Sequence, residues 1–158
     1  MISLYTRIAI VITMAMLTSC GSCDFEGVEK QTSGSFAFEV ELSRCYGSAP
    51  ARQASEGIHM RSRAQFLNFF PKRTAACAIG DSLDVDFETY DLISYYTEGK
   101  CNTRIERDVQ INTAQGRVIY SITQEDCGRC GTDNLSPNII AIPAVGEDVQ
   151  VQFEFTKL

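Results

Sequence analysis

The feature that most constrains the fold is a repeated alternation of apolar and polar residues in short segments. Residues 149–155 alternate throughout, and residues 36–42 and 83–88 show the same period of two. Turn-forming residues such as glycine and proline separate these segments from one another. Because successive side chains of a strand point to opposite faces, each segment predicts a β-strand with one buried face.

Residues 104–124 predict a β-hairpin. The two arms carry apolar residues at alternate positions, and residues 112–116 supply the loop. Pairing Val109 with either Val118 or Tyr120 matches the apolar faces of the arms. The β-prone segment 92–96 and the apolar segment 138–142 predict two further strands.

Residues 51–70 fit two periods. Ser48 as a cap, with Pro50 in the first turn, favours a short helix around residues 51–60. The second part alternates in a strand-like way, through Ile58, Met60, Ala64 and Phe66. We expect the helix first and the strand second, and Pro71 should end the strand.

Together these segments predict a mainly β domain with an antiparallel sheet, arranged as a two-sheet sandwich. No alternation of strands with long helices is visible, which disfavours a parallel α/β sheet. The domain is expected to span residues 36–158 as one unit. Residues 20–35 are polar and contain glycine, so they predict a linker.

The first 19 residues have the pattern of a secretory signal. Arg7 precedes a ten-residue apolar run, residues 8–17. That run is too short for a transmembrane helix, which needs about 20 apolar residues. The run ends in Leu17-Thr18-Ser19-Cys20, an aliphatic residue, two small residues and a cysteine.

This motif resembles the lipobox of bacterial lipoproteins. The resemblance covers only the first 21 residues or so and implies that the signal is removed and that Cys20 carries the lipid. It also implies attachment to the cell envelope through acyl chains, with Gly21 in place of Asp suggesting the outer membrane. The competing interpretation is an ordinary cleaved signal, in which Cys20 is a cysteine like the others.

The chain contains seven cysteines, an odd number for an exported protein. If Cys20 is lipidated, six remain and predict three disulfides, drawn from Cys23, Cys45, Cys77, Cys101, Cys127 and Cys130. Sequence alone does not choose among the pairings. The hairpin brings Cys101 alongside residues 126–128, so we expect Cys101 to pair with Cys127 or Cys130, ahead of a Cys127–Cys130 bridge.

The balance of acidic and basic residues limits the kinds of partner that this chain is expected to bind. The chain has 20 acidic residues, all after residue 19, against 14 Lys and Arg, which disfavours nucleic acid as a partner. The segment 57–80 nevertheless carries four basic residues and no acid: Arg61, Arg63, Lys72 and Arg73. These residues predict a contact patch for anionic lipid or an acidic partner, or simply a charged surface over core phenylalanines.

Two cysteine motifs are candidates for redox or metal-binding chemistry. Cys127-Gly128-Arg129-Cys130 has the spacing of a thiol–disulfide redox centre, but Gly131 and Pro137 prevent the helix that lowers a thiol pKa in such sites. The same motif also fits half of a zinc or copper site. The only second motif of that spacing is Cys20-Gly21-Ser22-Cys23, and lipidation would consume Cys20.

The remaining candidates are side chains without a motif. His59 is the only histidine and is expected at the surface. Asp84, Asp86 and Glu88 predict a solvated strand face rather than a calcium site, because the loop glycine of an EF-hand is missing. We therefore expect a non-enzymatic, lipid-anchored binding module without a cofactor. A redox protein using Cys127 and Cys130 and a metal-binding protein are the alternatives.

Overall fold

A computed structural model describes residues 23–42, 45–47, 56–72, 85–128 and 134–158. In chain order its elements are β1 (Val28–Gly34), β2 (Phe38–Val40), β3 (Ile58–Met60), α1 (Arg63–Phe69), β4 (Tyr90–Gly99), β5 (Asn102–Asn112), a 3-10 turn (Thr113–Gln115), β6 (Arg117–Cys127), β7 (Asn134–Pro143) and β8 (Gln150–Lys157). The strands form two four-stranded sheets, so the predicted mainly β, two-sheet fold is confirmed.

The first sheet has the strand order β1-β5-β6-β8 and the second has the order β2-β7-β4-β3. All pairs in the second sheet are antiparallel. In the first sheet only β5 and β6 are antiparallel, because β1 runs parallel to β5 and β8 runs parallel to β6. Antiparallel pairing therefore predominates, with a parallel strand added at each edge of the first sheet.

The predicted hairpin is the β5–β6 pair. Val109 lies opposite Tyr120, which is one of the two expected registers. The loop closes through the 3-10 turn, where the Asn112 side chain accepts a hydrogen bond from the Gln115 N–H and Gly116 adopts a left-handed conformation with φ 60°. That conformation suits glycine, which has no Cβ to clash with the backbone.

Two apolar cores lie on opposite faces of the second sheet. The inter-sheet core contains Ile93, Ile140 and Ile142 from the second sheet, packed against Val109 and Tyr120 of the first. The outer core covers the other face of the second sheet with a helix and loop layer, and it consists of Met60, Phe66, Phe70, Leu92, Tyr96 and their neighbours. The described residues therefore form three layers: sheet, sheet, and helix with loops.

In the described part of this segment, residues 56–70, the strand precedes the helix, which differs from the prediction. Residues 58–60 form β3, and the helix is α1 at Arg63–Phe69, while Ser48, Pro50 and residues 51–55 lie outside the described residues. Ser62 is the cap: its hydroxyl accepts a hydrogen bond from the Gln65 N–H at 3.2 Å. The Gln65 side chain in turn accepts one from the Arg61 N–H at 2.7 Å, so Ser62 and Gln65 form a local variant of the capping box that the prediction overlooked.

Two other expectations are wrong. Residues 28–34 were expected within a linker, but they form β1 along the edge of the first sheet. The strand expected at residues 83–88 is a turn from residue 85 onward, and residues 83 and 84 lie outside the described part. Asp86 makes this turn, because its carboxylate accepts hydrogen bonds from the Glu88 N–H and the Thr89 hydroxyl.

Candidate functional site

A disulfide ties the start of the described chain to the end of a central strand. Cys23 is bonded to Cys127, the last residue of β6, across a sequence separation of 104 residues. The two Cα atoms lie 5.7 Å apart. The segment before β1 is therefore joined covalently to the body of the sandwich.

Residues 23–27 also pack against the domain. Phe25 is buried beneath the guanidinium of Arg104, which lies 4.4 Å from the ring centroid. The Gly27 N–H donates to the Asn102 side chain at 2.9 Å, and the Thr103 N–H donates to the Gly27 carbonyl at 2.9 Å. The segment expected to be a linker is thus folded onto the first sheet from Cys23 onward.

This disulfide changes the cysteine assignments. A Cys101–Cys127 bridge is wrong, and Cys127 is not bonded to Cys130. Cys45 and Cys101 are also disulfide-bonded, while Cys20, Cys77 and Cys130 lie outside the described residues. A Cys101–Cys130 bridge remains a prediction. The simplest redox mechanism requires a free thiol at Cys127. In this structure the Cys127 sulfur is bonded to Cys23 instead.

A second feature is the groove between β1 and β2. The chain leaves the first sheet at Gly34, whose φ is 87° and whose close approach to the Val109 carbonyl leaves no room for a Cβ. It joins the second sheet where the Ala37 N–H donates to the Ala141 carbonyl. The arch groove, as we call the space that opens beside these two strands, has a volume of about 260 Å³ and is lined by Lys30, Glu39, Val40, Glu41, Leu42, Arg107 and Pro137.

An ion pair between a buried cation and a partly exposed carboxylate lines the arch groove. Arg107 is only 3% exposed, and its Nη2 lies 2.6 Å from Oε2 of Glu39. The other Glu39 oxygen accepts a hydrogen bond from the Thr32 hydroxyl at 2.6 Å. Because removing a charge from water is costly unless it is paired, Glu39 is what makes a buried Arg107 tolerable.

The charges of the arch groove shift the pKa values of its residues. Burial acts to raise the pKa of Glu39, but the hydrogen bond from Thr32 and the ion pair with the positively charged Arg107 hold it below its ordinary value. Partial burial and repulsion by Arg107 lower the pKa of Lys30. Burial raises the pKa of Tyr120, which lies near the same ion pair. The groove therefore combines both signs of charge in a partly desolvated space.

A third cluster involves His59, which was expected at the surface. That expectation is wrong, because the ring nitrogen Nε2 lies 2.8 Å from Oδ2 of Asp91 and the His59 side chain is only 16% exposed. Asp91 is 3% exposed and also accepts a hydrogen bond from the Val145 N–H at 3.3 Å. The pair ties β3 and β4 to the loop between β7 and β8.

The described residues of the predicted basic patch differ in their surroundings. Arg61 donates to the carbonyls of Gly146 and Val149, both at 3.2 Å, and its Nε lies 3.9 Å from Asp91. It belongs to the His59 cluster rather than to a free surface. Arg63 and Lys72 are exposed, and Arg73 lies outside the described residues.

Of the three acidic candidates, the two that the structure describes lie in a local turn. Asp86 caps its own turn, Glu88 is exposed in that turn, and Asp84 lies outside the described residues. Within the described parts of the chain, no group of three His, Cys, Asp or Glu side chains is arranged to hold a metal ion.

Sequence reasoning overlooked Lys30, Glu39, Asp91 and Arg107. A signal existed for two of them, because Arg107 alternates with the apolar Ile105 and Val109, and Asp91 alternates with Ile93. A charged residue on the apolar face of a predicted strand implies a buried charge and therefore a partner. The partners themselves come from distant segments and carry no local pattern.

Among the described residues, no helix has the length and apolar character needed to cross a membrane. Comparisons of the chain with models of protein families, with curated proteins and with solved structures find no match.

Proposed function

We propose that this chain is a lipid-anchored protein of the bacterial cell envelope, placed in the outer membrane, whose sandwich acts as a non-enzymatic binding module. The observation that carries the proposal is the Cys23–Cys127 bridge. It begins the folded domain three residues after Cys20, the cysteine of the lipobox-like motif. This position of the bridge is consistent with attachment of the domain through Cys20.

The anchor follows from the chemistry of the motif. Each buried CH₂ group contributes about 0.8 kcal/mol to membrane binding, and a single acyl chain binds only marginally. Two or three chains on Cys20 would therefore hold the protein durably. Pairing the other cysteines in disulfides is consistent with export, and four described cysteines are bonded in this way.

The binding role is supported by a concave surface on a rigid frame. The arch groove holds charges of both signs, and its walls are fixed by strands of both sheets. Binding sites generally combine such a concavity with a few placed polar groups. We propose the arch groove as the place where this module contacts its partner.

Intact mass spectrometry of membrane-extracted protein, before and after reduction, tests the anchor. We expect a chain that begins at Cys20, carries acyl mass, and gains two hydrogens for each disulfide reduced. The Cys20→Ser variant, expressed in the same way, should lose the acyl mass. A wild-type product without acyl mass would overturn the proposal.

Alkylation without reductant separates the binding module from the redox alternative. We expect no labelling of Cys127, because its sulfur is bonded to Cys23. Rapid labelling of Cys127 in the native protein would favour thiol–disulfide exchange instead. Protein purified without chelator should contain no stoichiometric zinc or copper, and finding either would favour the metal-binding alternative.

A further inference from the structure

We infer that one end of the sandwich, the anchor end, rests on the surface of a zwitterionic phospholipid bilayer. The anchor end comprises the Cys23–Cys127 bridge and the strand termini beside it: the start of β1, β5 and β7 and the end of β4, β6 and β8. This inference rests on the proposed lipidation of Cys20, and it adds which face of the domain meets the membrane.

The register of the strands places these termini together. Asn102 of β5 lies opposite Cys127, and Gly99 of β4 lies opposite Asn134. Across the two sheets, the Gln124 side chain donates to the Glu98 carbonyl at 2.8 Å. Both sheets therefore end on the same side of the molecule as the disulfide.

Most of the large apolar side chains that are exposed in the described part of the chain lie at the anchor end. Of the five large apolar side chains that are exposed among the described residues, three lie there: Val28 at 44%, Leu135 at 50% and Leu158 at 75% exposure. Val28 lies opposite Thr103, and Leu135 lies opposite Glu98. The Leu158 N–H donates to the Gln124 carbonyl at 2.9 Å, which holds this residue at the same end.

The length of the tether decides which face can reach the bilayer. The three residues from Cys20 to Cys23 span at most about 10 Å when fully extended. Strand β5 has 11 residues, and at a rise of about 3.4 Å per residue it is roughly three times as long. A domain held at Cys23 therefore keeps its anchor end at the membrane, while the loop at residues 112–116 stays remote.

Charge selects the kind of lipid surface. Two of the described basic side chains at the anchor end are paired with carboxylates of the protein: Lys157 lies 2.7 Å from Asp126, and Arg104 lies within 3.6 Å of Glu29 and Glu125. Asp24 and Glu26 are exposed next to Cys23. Anionic headgroups would be repelled by these carboxylates, so a zwitterionic surface fits better.

The absence of tryptophan from the chain allows a clean test. A Leu158→Trp reporter at the anchor end is compared with an Ala114→Trp control in the exposed 3-10 turn at the opposite end. Each acylated full-length mature protein is placed in phosphatidylcholine vesicles whose acyl chains carry bromine as a quencher. Interfacial side chains sit about 5–10 Å deep, so we expect the Leu158→Trp emission to fall by about half and the Ala114→Trp emission to be unchanged.

The outcomes are distinguishable. If both acylated variants are equally unquenched, or if only the Ala114→Trp control is quenched, the inference is overturned while the lipid anchor stands. If the mass shows no acylation, the proposed function fails and the inference fails with it.

A Val28→Trp variant provides a second reporter, and quenching there as well would support contact across the whole anchor end. Replacing part of the phosphatidylcholine with phosphatidylglycerol should reduce the quenching, and an increase would overturn the zwitterionic assignment.

Discussion

Arg107 and Glu39 meet at 2.6 Å between Nη2 and Oε2, yet neither Nη2 nor Nε of this guanidinium is aligned for a hydrogen bond to a described residue. Glu39 is therefore the principal described compensation for a cation that is almost entirely buried. Breaking a fully buried pair costs about 3–5 kcal/mol, and the 40% exposure of the Glu39 side chain reduces this cost. We expect Glu39→Gln to lower the free energy of unfolding by about 2 kcal/mol, measured by urea unfolding at pH 7.

The matched control is Glu41→Gln. Glu41 is an exposed carboxylate that lines the same groove, as Glu39 does, but the pair with Arg107 is made by Glu39, so substitution of Glu41 should change the unfolding free energy by less than about 0.5 kcal/mol. Equal effects of the two substitutions would show that the Arg107 pair contributes nothing special to stability.

Asp126 should make the anchor end sensitive to acid. Burial acts to raise its pKa, but hydrogen bonds from Lys157, Gln124, Thr103 and the Lys100 N–H together lower it below the ordinary value. A carboxylate whose pKa is lower in the folded state contributes stability above its unfolded pKa of about 3.9, and loses it as pH falls through the lower folded pKa. Stability should therefore decline below about pH 4.

Asp126→Asn tests this expectation. The variant should be less stable by about 2 kcal/mol at pH 7, and its unfolding free energy should decline less steeply below pH 4 than that of the wild type. Urea unfolding at a series of pH values measures both effects. Parallel pH profiles for the two proteins would refute the assignment.

The Cys23–Cys127 disulfide should contribute strongly to stability, because it closes a loop of about a hundred residues. In a chain-entropy model, a disulfide of this span restricts the unfolded state by up to about 4.7 kcal/mol, and measured values are typically 2–4 kcal/mol. We expect the Cys23→Ser, Cys127→Ser double variant to lose about 2–4 kcal/mol in urea unfolding. Using the double variant avoids a free thiol, and a loss below 1 kcal/mol would contradict the expectation.

Asp91 should hold the loop between β7 and β8. Replacing it with Ala removes the acceptor for the His59 ring and for the Val145 N–H, and leaving buried donors unsatisfied costs about 1–3 kcal/mol. We therefore expect lower stability and faster hydrogen exchange at the Val145 amide. Glu147→Ala, an exposed change in the same loop, should leave that exchange rate unaltered. Unchanged exchange in the Asp91→Ala variant would show that the loop is held by other contacts.

The parts of the fold that follow from local pattern were predictable. The β5–β6 hairpin has apolar faces on both arms and a short loop, so only two registers were reasonable, and Val109 opposite Tyr120 is one of them. Strand β8 alternates without interruption and lies close to its predicted position. In both cases the local sequence contains enough information to predict the strand.

Strand β1 and the arch groove depend on distant partners. The β1 segment Val28–Gly34 has no apolar alternation, because it is an edge strand that is exposed over most of its length. It is a strand only because β5, some 75 residues later, offers a free parallel edge. The Glu39–Arg107 pair also depends on the fold, because the position of Arg107 in its strand indicates a buried charge but nothing local indicates Glu39 as the partner. Tertiary contacts of this kind override local propensity.

The disulfide also determines how the domain would respond to mechanical force. Cys23 precedes β1 in the chain, so a pull on the lipid would pass through the bridge into Cys127 and the end of β6. Strand β6 lies inside the first sheet, between β5 and β8, and a load applied there is shared by neighbours on both sides. Without the bridge the same pull would act on β1, an edge strand that can peel away one residue at a time. If the chain is anchored through Cys20 as proposed, the disulfide would direct tension into an inner strand and away from the edge strand β1.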